Sequence, residues 1–573
     1  MQYMKRYIVF TLILVIGFFF KFNLIAEDYQ QINSFRGASI QEETWNPLIA
    51  DSVNENLLSV IIDNKEYTNE NYSLYMNDDL NIMLPVKMLT NALNCSASVY
   101  DGNTLILEKH NSKLVFELQE DTVEVNGEDM PLNSPFVKEN SDLYVSLKDI
   151  SSYLNYSYNW NVEGNLAQAA DTVGNTSIVP TKYDLRERNR VADVKNQGSN
   201  GTCWSFAALG AIESVLLPEE DLQFAVDHMT LENGFNLTQQ DGGEYTMGVA
   251  YLASWNGPVL ASGDPYGDGE TDKSLETVKH VQEVQVISAK DYEKIKEAVF
   301  RYGGVQTSIY SALTSAYSES EYYNPNTNSY CYIGTAKPNH DVVIVGWDDN
   351  YSKDNFSVNL EGDGAFICQN SWGSSFGERG YFYISYYDTN IGTYNVAYTR
   401  IDEVDNYDHI YQSDLCGWVG QLGYNKESVF GANVFTAESD EVLKAISFYA
   451  TGRNSEYELF VVPDFTDMES LNNRIPVASG KLTNAGYYTI DFNQEININA
   501  GQKYAVVLHI VTPDAVHPLA IEYVADKATA DVITDDGEGY ISTNGNDWEN
   551  VKDVIECNLC IKAFTDTLTA KAR

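Results

Sequence analysis

Between Val194 and Ser214 the chain passes abruptly from a polar, glycine-bearing run, Val-Lys-Asn-Gln-Gly-Ser-Asn-Gly-Thr, into an alanine-rich apolar one. Trp204, Ala207, Ala208, Ala211, Ile212 and Val215 recur at three- and four-residue steps. That spacing predicts a buried helix starting near Cys203, closed by Pro218. A thiol in the first turn of such a helix meets unpaired backbone N–H groups and the positive end of the helix dipole, which favour thiolate over thiol. The bland alternative for a buried cysteine is a small hydrophobe. Gln197, six residues upstream on a glycine-flanked loop, can bring its amide beside the sulfur as an oxyanion donor.

Two later stretches decide between these readings. The run Gln197-Gly198-Ser199-Asn200-Gly201-Thr202-Cys203-Trp204 resembles the active-site signature of papain-like cysteine proteases. Asn339-His340-Asp341-Val342-Val343-Ile344-Val345-Gly346-Trp347 resembles that family's histidine-bearing strand, and Gln369-Asn370-Ser371-Trp372-Gly373 its histidine-orienting element. His340 follows the cysteine by 340 − 203 = 137 residues and Asn370 follows His340 by 30, with a loop insertion between them. The resemblance covers roughly residues 179–401 and implies a two-lobed domain, one lobe helical and one a β-barrel. It also implies Cys203 as nucleophile, His340 as general base and acid, Asn370 as the group orienting His340, and Gln197 as oxyanion donor. Trp372 would shield the His340–Asn370 bond at the edge of the substrate site, and Trp204 would pack rather than react. No cofactor is implied, and the substrates would be proteins or peptides.

One departure from the family is coherent. Asn200 stands where the common pattern has a second cysteine, and Gln240-Asp241-Gly242-Gly243 where its partner precedes a Gly-Gly pair. Both halves of that disulfide are absent together. Two side-chain amides can hydrogen-bond across the same gap. Gly242 and Gly243 are kept, and glycine there is expected to let an extended peptide approach the main chain. Removing Cys203 from the seven cysteines leaves six, enough for three bridges with fifteen possible connectivities.

The 573 residues allow several domains, and the net charge of −46 argues against nucleic-acid or anionic-membrane partners. Residues 1–26 join a basic start (Lys5, Arg6) to an apolar run and read as a secretory signal peptide. The alternative is an uncleaved anchor, the one route to a membrane; either way the remainder lies outside the cytoplasm. Residues 27–58 read as a linker. Over 59–160 a repeat appears at a constant offset of 61, matching Lys87 with Lys148, Leu93 with Leu154, Asn94 with Asn155 and Ser96 with Ser157. Each copy reads as strand, short helix and strand, with β-hairpins between the copies. This mixed α/β module resembles the copper amine oxidase N-terminal-like module of bacterial secreted proteins, a pro-region or surface adaptor. Its one good soft-ligand pair, His110 and Cys95, does not make a metal site. Residues 161–178, rich in Gly, Ala, Asn and Thr, read as a linker and processing region.

Residues 402–567 show only strand-length alternation between turns, as in Tyr488, Ile490 and Phe492, and predict a β-sandwich before a short tail at 568–573. Ala445–Tyr449, Gly486–Ile490 and Gly539–Ser542 resemble the lectin-like domain appended to clostridial-type surface cysteine proteases, which raises contact with a surface glycan or protein. Cys557-Asn558-Leu559-Cys560 lies on a strand, where residues three apart face opposite ways and cannot share a metal. Asp535-Asp536-Gly537-Glu538 offers oxygen ligands for a structural calcium ion, against the plainer and favoured reading of a solvated acidic turn. The whole is α+β. It is expected to be a secreted or surface cysteine endopeptidase, against the alternative of an adhesion protein on a protease scaffold.

Overall fold

The computed structural model describes residues 58–568, except 64, 70–71, 111, 140, 162–165 and 173–178. The expected signal peptide, the first linker up to residue 57 and the tail from residue 569 lie outside the described residues. The described residues all belong to one compact unit.

The repeat folds as its sequence predicts. In the first copy the strand Ile82–Pro85 leads through a short helical stretch, Val86–Ala92, into the strand Ser96–Tyr100. In the second, Asp142–Ser146 leads through the helix Leu147–Tyr153 into Tyr156–Asn161. The equivalent asparagines turn the chain in the left-handed region, Asn94 at φ 51° and Asn155 at φ 60°, a conformation asparagine tolerates better than most residues. The two copies join through their first strands, with Leu84 opposite Val145, and a five-stranded meander spans the sequence between them.

The expected linker at 161–178 is corrected in part. Leu166–Asp171 is a strand, antiparallel to Tyr156–Asn161 and parallel to Ser59–Ile62, so it lies inside its sheet. Ala167 and Ala169 point inward, 0% and 4% exposed, while Gln168 and Ala170 face the other way. The small side chains disguised a period-two pattern as linker composition. At the end of this strand Asp171 pairs with the buried Lys109 at 2.7 Å. The module therefore runs from residue 58 to residue 171.

The central domain sets three helices, Cys203–Leu216, Val226–Leu231 and Tyr245–Ala253, against an antiparallel sheet built on Val305–Ile309, His340–Asp348, Ala365–Gln369 and Tyr381–Ser385. The helix Cys203–Leu216 is buried along nearly its whole length, and Gly210 brings it onto Val343 of the strand His340–Asp348. It ends where Leu217, in extended conformation, precedes Pro218, a residue that disfavours helix before it.

The C-terminal domain is a β-sandwich. A six-stranded sheet containing Ser428–Thr436, Ser455–Val462 and Lys503–Val511 packs on a second sheet through Val429, Leu443, Phe448, Leu459 and Leu508. That second sheet does not stop at the domain boundary. The strand His280–Ile287 pairs on one side with Asn395–Asp402 of the central domain and on the other with Ala485–Tyr488 of the sandwich. One continuous sheet thus crosses both domains.

All seven cysteines are free, so none of the bridges their number allowed is formed. Cys560 lies between the short strand Asn558–Leu559 and Ile561–Thr567, its thiol donating to the Gly417 carbonyl. Among the described residues no three His, Cys, Asp or Glu side chains cluster as metal ligands, and no helix is long and apolar enough to cross a membrane.

Candidate active site

Cys203 opens the helix Cys203–Leu216 directly after Thr202, whose backbone is not helical. The loop before it is held from three sides. Gln197 donates its main-chain N–H to the Ser371 carbonyl at 2.8 Å, its Oε1 accepts from Ser371 Oγ at 2.6 Å, and its Nε2 donates to the Asn200 carbonyl at 2.8 Å. A side-chain amide has two N–H bonds, so this leaves Gln197 one donor while fixing the orientation of its amide. Tyr266 is a partner the sequence gave no signal for. Its hydroxyl donates to the Gln197 carbonyl, accepts from Asn200 Nδ2, and meets Thr202 Oγ1 at 2.8 Å.

His340 stands at the start of its strand. The antiparallel register that sets Val343 opposite Gln369 carries Asn370 and Trp372 past the end of the neighbouring strand toward His340. His340 Nε2 meets Asn370 Oδ1 at 2.8 Å, and the Trp372 ring stacks on the imidazole at a centroid distance of 4.8 Å. Asn370 is itself fixed by its main-chain N–H, which donates to Gly380. With Nε2 engaged, Nδ1 is the nitrogen left for chemistry. The main-chain N–H of Asp341, the next residue, acts on the Cys203 sulfur together with those of Trp204 and Cys203, which joins the histidine strand to the thiol.

The electrostatics correct one expectation. Burial pushes the Cys203 thiol up to about 12, with the Asp341 carboxylate adding to the rise and the three N–H groups opposing it. Burial pulls His340 down to about 4, with Asn370 opposing. The helix start was expected to favour thiolate over thiol. Here loss of water outweighs it, and each group taken singly is held neutral. A thiolate–imidazolium pair has to form jointly, by transfer of one proton between the two.

The glycines also act differently from their expected role. Gly242 turns at φ +82°, and a Cβ on Gly243 would lie 2.4 Å from Trp204 Nε1. Gly243 is thus required for the substrate loop to lie on the Trp204 indole, independently of any bound peptide. Across the gap left by the absent disulfide, Gln240 Nε2 donates to Asn200 Oδ1 at 2.5 Å, and Gly201 N donates to Gln239 O at 2.8 Å. Gln197, Asn200, Ser311, Asn339, His340 and Trp372 border a cavity of about 170 Å³.

A second polar centre lies in the sandwich. Asn558 Nδ2 has four oxygens around it: Ser413 O at 2.6 Å, Ile533 O at 2.8 Å, Glu522 Oε2 at 2.9 Å and Asp536 Oδ1 at 3.4 Å. Its own Oδ1 is buried without a hydrogen-bond partner. Glu538, from the same acidic turn as Asp536, instead pairs with Lys503 at 2.8 Å.

Comparison with known proteins agrees with this layout. Residues 179–401 match the papain family cysteine protease, 61–168 the copper amine oxidase N-terminal domain and 410–565 the lectin-like domain. A structure of the clostridial cysteine protease Cwp84 after propeptide cleavage is 28% identical, covering 67% of this chain and 99% of that one, with a TM-score of 0.59. A second structure holds the cysteine protease and lectin-like domains of Cwp84, a surface layer associated protein of Clostridium difficile. It is 27% identical, covering 68% of this chain and 89% of that one, also with a TM-score of 0.59. Cathepsin K of Mus musculus is 30% identical over 209 residues, 35% of this chain and 59% of its own length. The chain spans 58–63% of the length of the first curated relatives it matches. The central domain thus matches the papain family of cysteine proteases, the module before it the copper amine oxidase N-terminal domain and the sandwich behind it the lectin-like domain.

Proposed function

We propose that this protein is a secreted or surface-exposed cysteine endopeptidase that hydrolyses peptide bonds through Cys203, His340 and Asn370. The observation that carries the reading is the His340 Nε2–Asn370 bond, which leaves Nδ1 for the thiol that the Asp341 N–H ties to the same strand. Cys203 passes its proton to His340 Nδ1 as the sulfur attacks the substrate carbonyl. The opposite charges so formed compensate each other in a site that shelters neither alone. The remaining Gln197 N–H and the Cys203 main-chain N–H meet the oxyanion, His340 protonates the leaving amine, and water releases the acyl-enzyme. Trp372 covers the His340–Asn370 bond. A location outside the cytoplasm is supported by the apolar N-terminal run and by the surface-layer association of Cwp84. An adhesion protein on a protease scaffold is disfavoured because Gln197, Cys203, His340 and Asn370 are all present.

Cys203→Ala and His340→Ala are expected to abolish peptide hydrolysis with the fold retained, and Gln197→Ala to lower kcat by about 10²–10³-fold. Hydrolysis by Cys203→Ala would refute the assignment.

We further propose that the sandwich holds a structural calcium ion at Asn558. Two N–H bonds cannot serve four oxygens, and an amide turned over would make Oδ1 a fifth oxygen facing the same point. Burial pushes Glu522 there up to about 7, with the Cys416 N–H, Asn558 and Lys562 opposing the rise. Millimolar CaCl₂ against EGTA should raise the melting temperature, and no difference would refute the site.

A further inference from the structure

We propose that the N-terminal module is a docked subunit of the protease that stays bound when the chain is cut after Asp171, and that its removal is not what opens the cleft. Among the described residues, a set of hydrogen bonds between module and protease gathers at the far end of the Cys203–Leu216 helix. Arg188 donates from Nε and Nη2 to the two carboxylate oxygens of Glu108, at 3.1 and 2.8 Å, and its carbonyl accepts from Tyr100 OH at 3.0 Å. Arg190, 3% exposed, donates to Ser98 Oγ at 3.3 Å and to the Leu217 carbonyl at the helix terminus. Arg301 Nη2 donates to Thr90 O and Asn91 Oδ1, and Tyr302 OH to the same Asn91 oxygen.

Arginine is concentrated at this face. Three of the eleven arginines of a chain with a net charge of −46 line this face, and the module presents only acceptors to them. A two-point arginine–carboxylate pair among several neutral bonds gives geometric specificity as well as attraction. The helix between this face and Cys203 has 14 residues, about 20 Å at 1.5 Å per residue. No described module residue borders the 170 Å³ cavity at His340. The module is also complete at Asp171, whose carboxylate is held by Lys109 and whose strand lies inside the sheet. Cutting beyond it therefore leaves two finished pieces whose shared face is unchanged.

The test uses the full chain with a site for a sequence-specific protease placed between Asp171 and Val179. After cutting, both fragments should co-elute in dilute gel filtration. Elution of the module alone overturns the docking. Arg188→Glu or Glu108→Arg should each release the cut module, and the two together should restore co-elution; failure of the double variant to restore it overturns the pair as anchor. The open-cleft statement rests on the peptidase reading: hydrolysis of a short fluorogenic peptide should agree within about twofold before and after cutting, and a rise of about tenfold or more overturns it. Absence of hydrolysis in both states would count against the peptidase reading alone, since docking is read from elution.

Discussion

The protease domain is joined to its two neighbours in opposite ways. Toward the lectin-like domain the connection is backbone: Glu283, Val284, Gln285 and Val286 pair with Tyr488, Tyr487, Gly486 and Ala485 in one ladder. Toward the N-terminal module it is side chain, three arginines and a tyrosine reaching into acceptors. Cutting a linker cannot separate a shared ladder without leaving a row of bare N–H and C=O groups on both pieces. A side-chain face leaves two surfaces that water can cover. The lectin-like domain is thus built as part of the protease, and the module as an attached piece.

The largest effect is expected where the ladder is most constrained. Gly486 sits at φ +146°, and a Cβ there would lie 2.0 Å from the Val284 carbonyl oxygen. Gly486→Val should cost about 3 kcal/mol or more and unfold protease and sandwich together. Gly501→Ala, at φ +76° with open space around it, should cost only about 1 kcal/mol. Equal effects in denaturant melts would contradict the account of the shared sheet.

Between the two junctions lies the active site, whose pH response should be its own. His340 is held at about 4, below its unfolded value, so its contribution to stability is present above about 6.5 and lost as pH falls toward 4. Burial raises the neighbouring Asp341 to about 6, so between about 6 and 4 its contribution has the opposite sign and grows as pH falls. Asp341→Asn removes the opposing group, and urea midpoints across that window should then fall more steeply than in the parent. A shallower fall would contradict the two assignments.

The candidate site was legible in residue type and order together: Gln197, Cys203, His340 and Asn370 stand in the family's order, and the structure joins His340 to Asn370. The Asn200–Gln240 pairing was legible from two absent cysteines, and the structure places that hydrogen bond at 2.5 Å. The repeat was legible because Asn94 and Asn155 mark the same left-handed turn. Tyr266 was not, since it reaches the loop by tertiary folding from an acidic stretch without pattern. The Leu166–Asp171 strand was hidden by alanine, whose small side chain does not separate a buried position from a linker. The shared sheet was hidden too, because strand pairing between domains leaves no mark in either strand's own alternation. The titration of Cys203 also escaped, because helix position is local while burial depends on the whole fold.

The smallest effect sharpens the comparison from inside the protease. Gln240→Ala removes one exposed hydrogen bond between the nucleophile and substrate loops, while Gly201 N–Gln239 O remains. It should cost about 1 kcal/mol or less and leave peptide hydrolysis nearly unchanged. Loss of most activity would show that this side-chain bridge alone holds the loops.

The central claim is that Cys203 is a nucleophile activated by His340. The most direct measurement is labelling of the folded chain with an epoxide that alkylates active thiolates, mapped by mass spectrometry. One label on Cys203 is expected, with the other six cysteines, all buried, left unmodified, and with the reaction lost in His340→Ala. A folded protein whose Cys203 stays unmodified, or is labelled equally well without His340, would contradict the account.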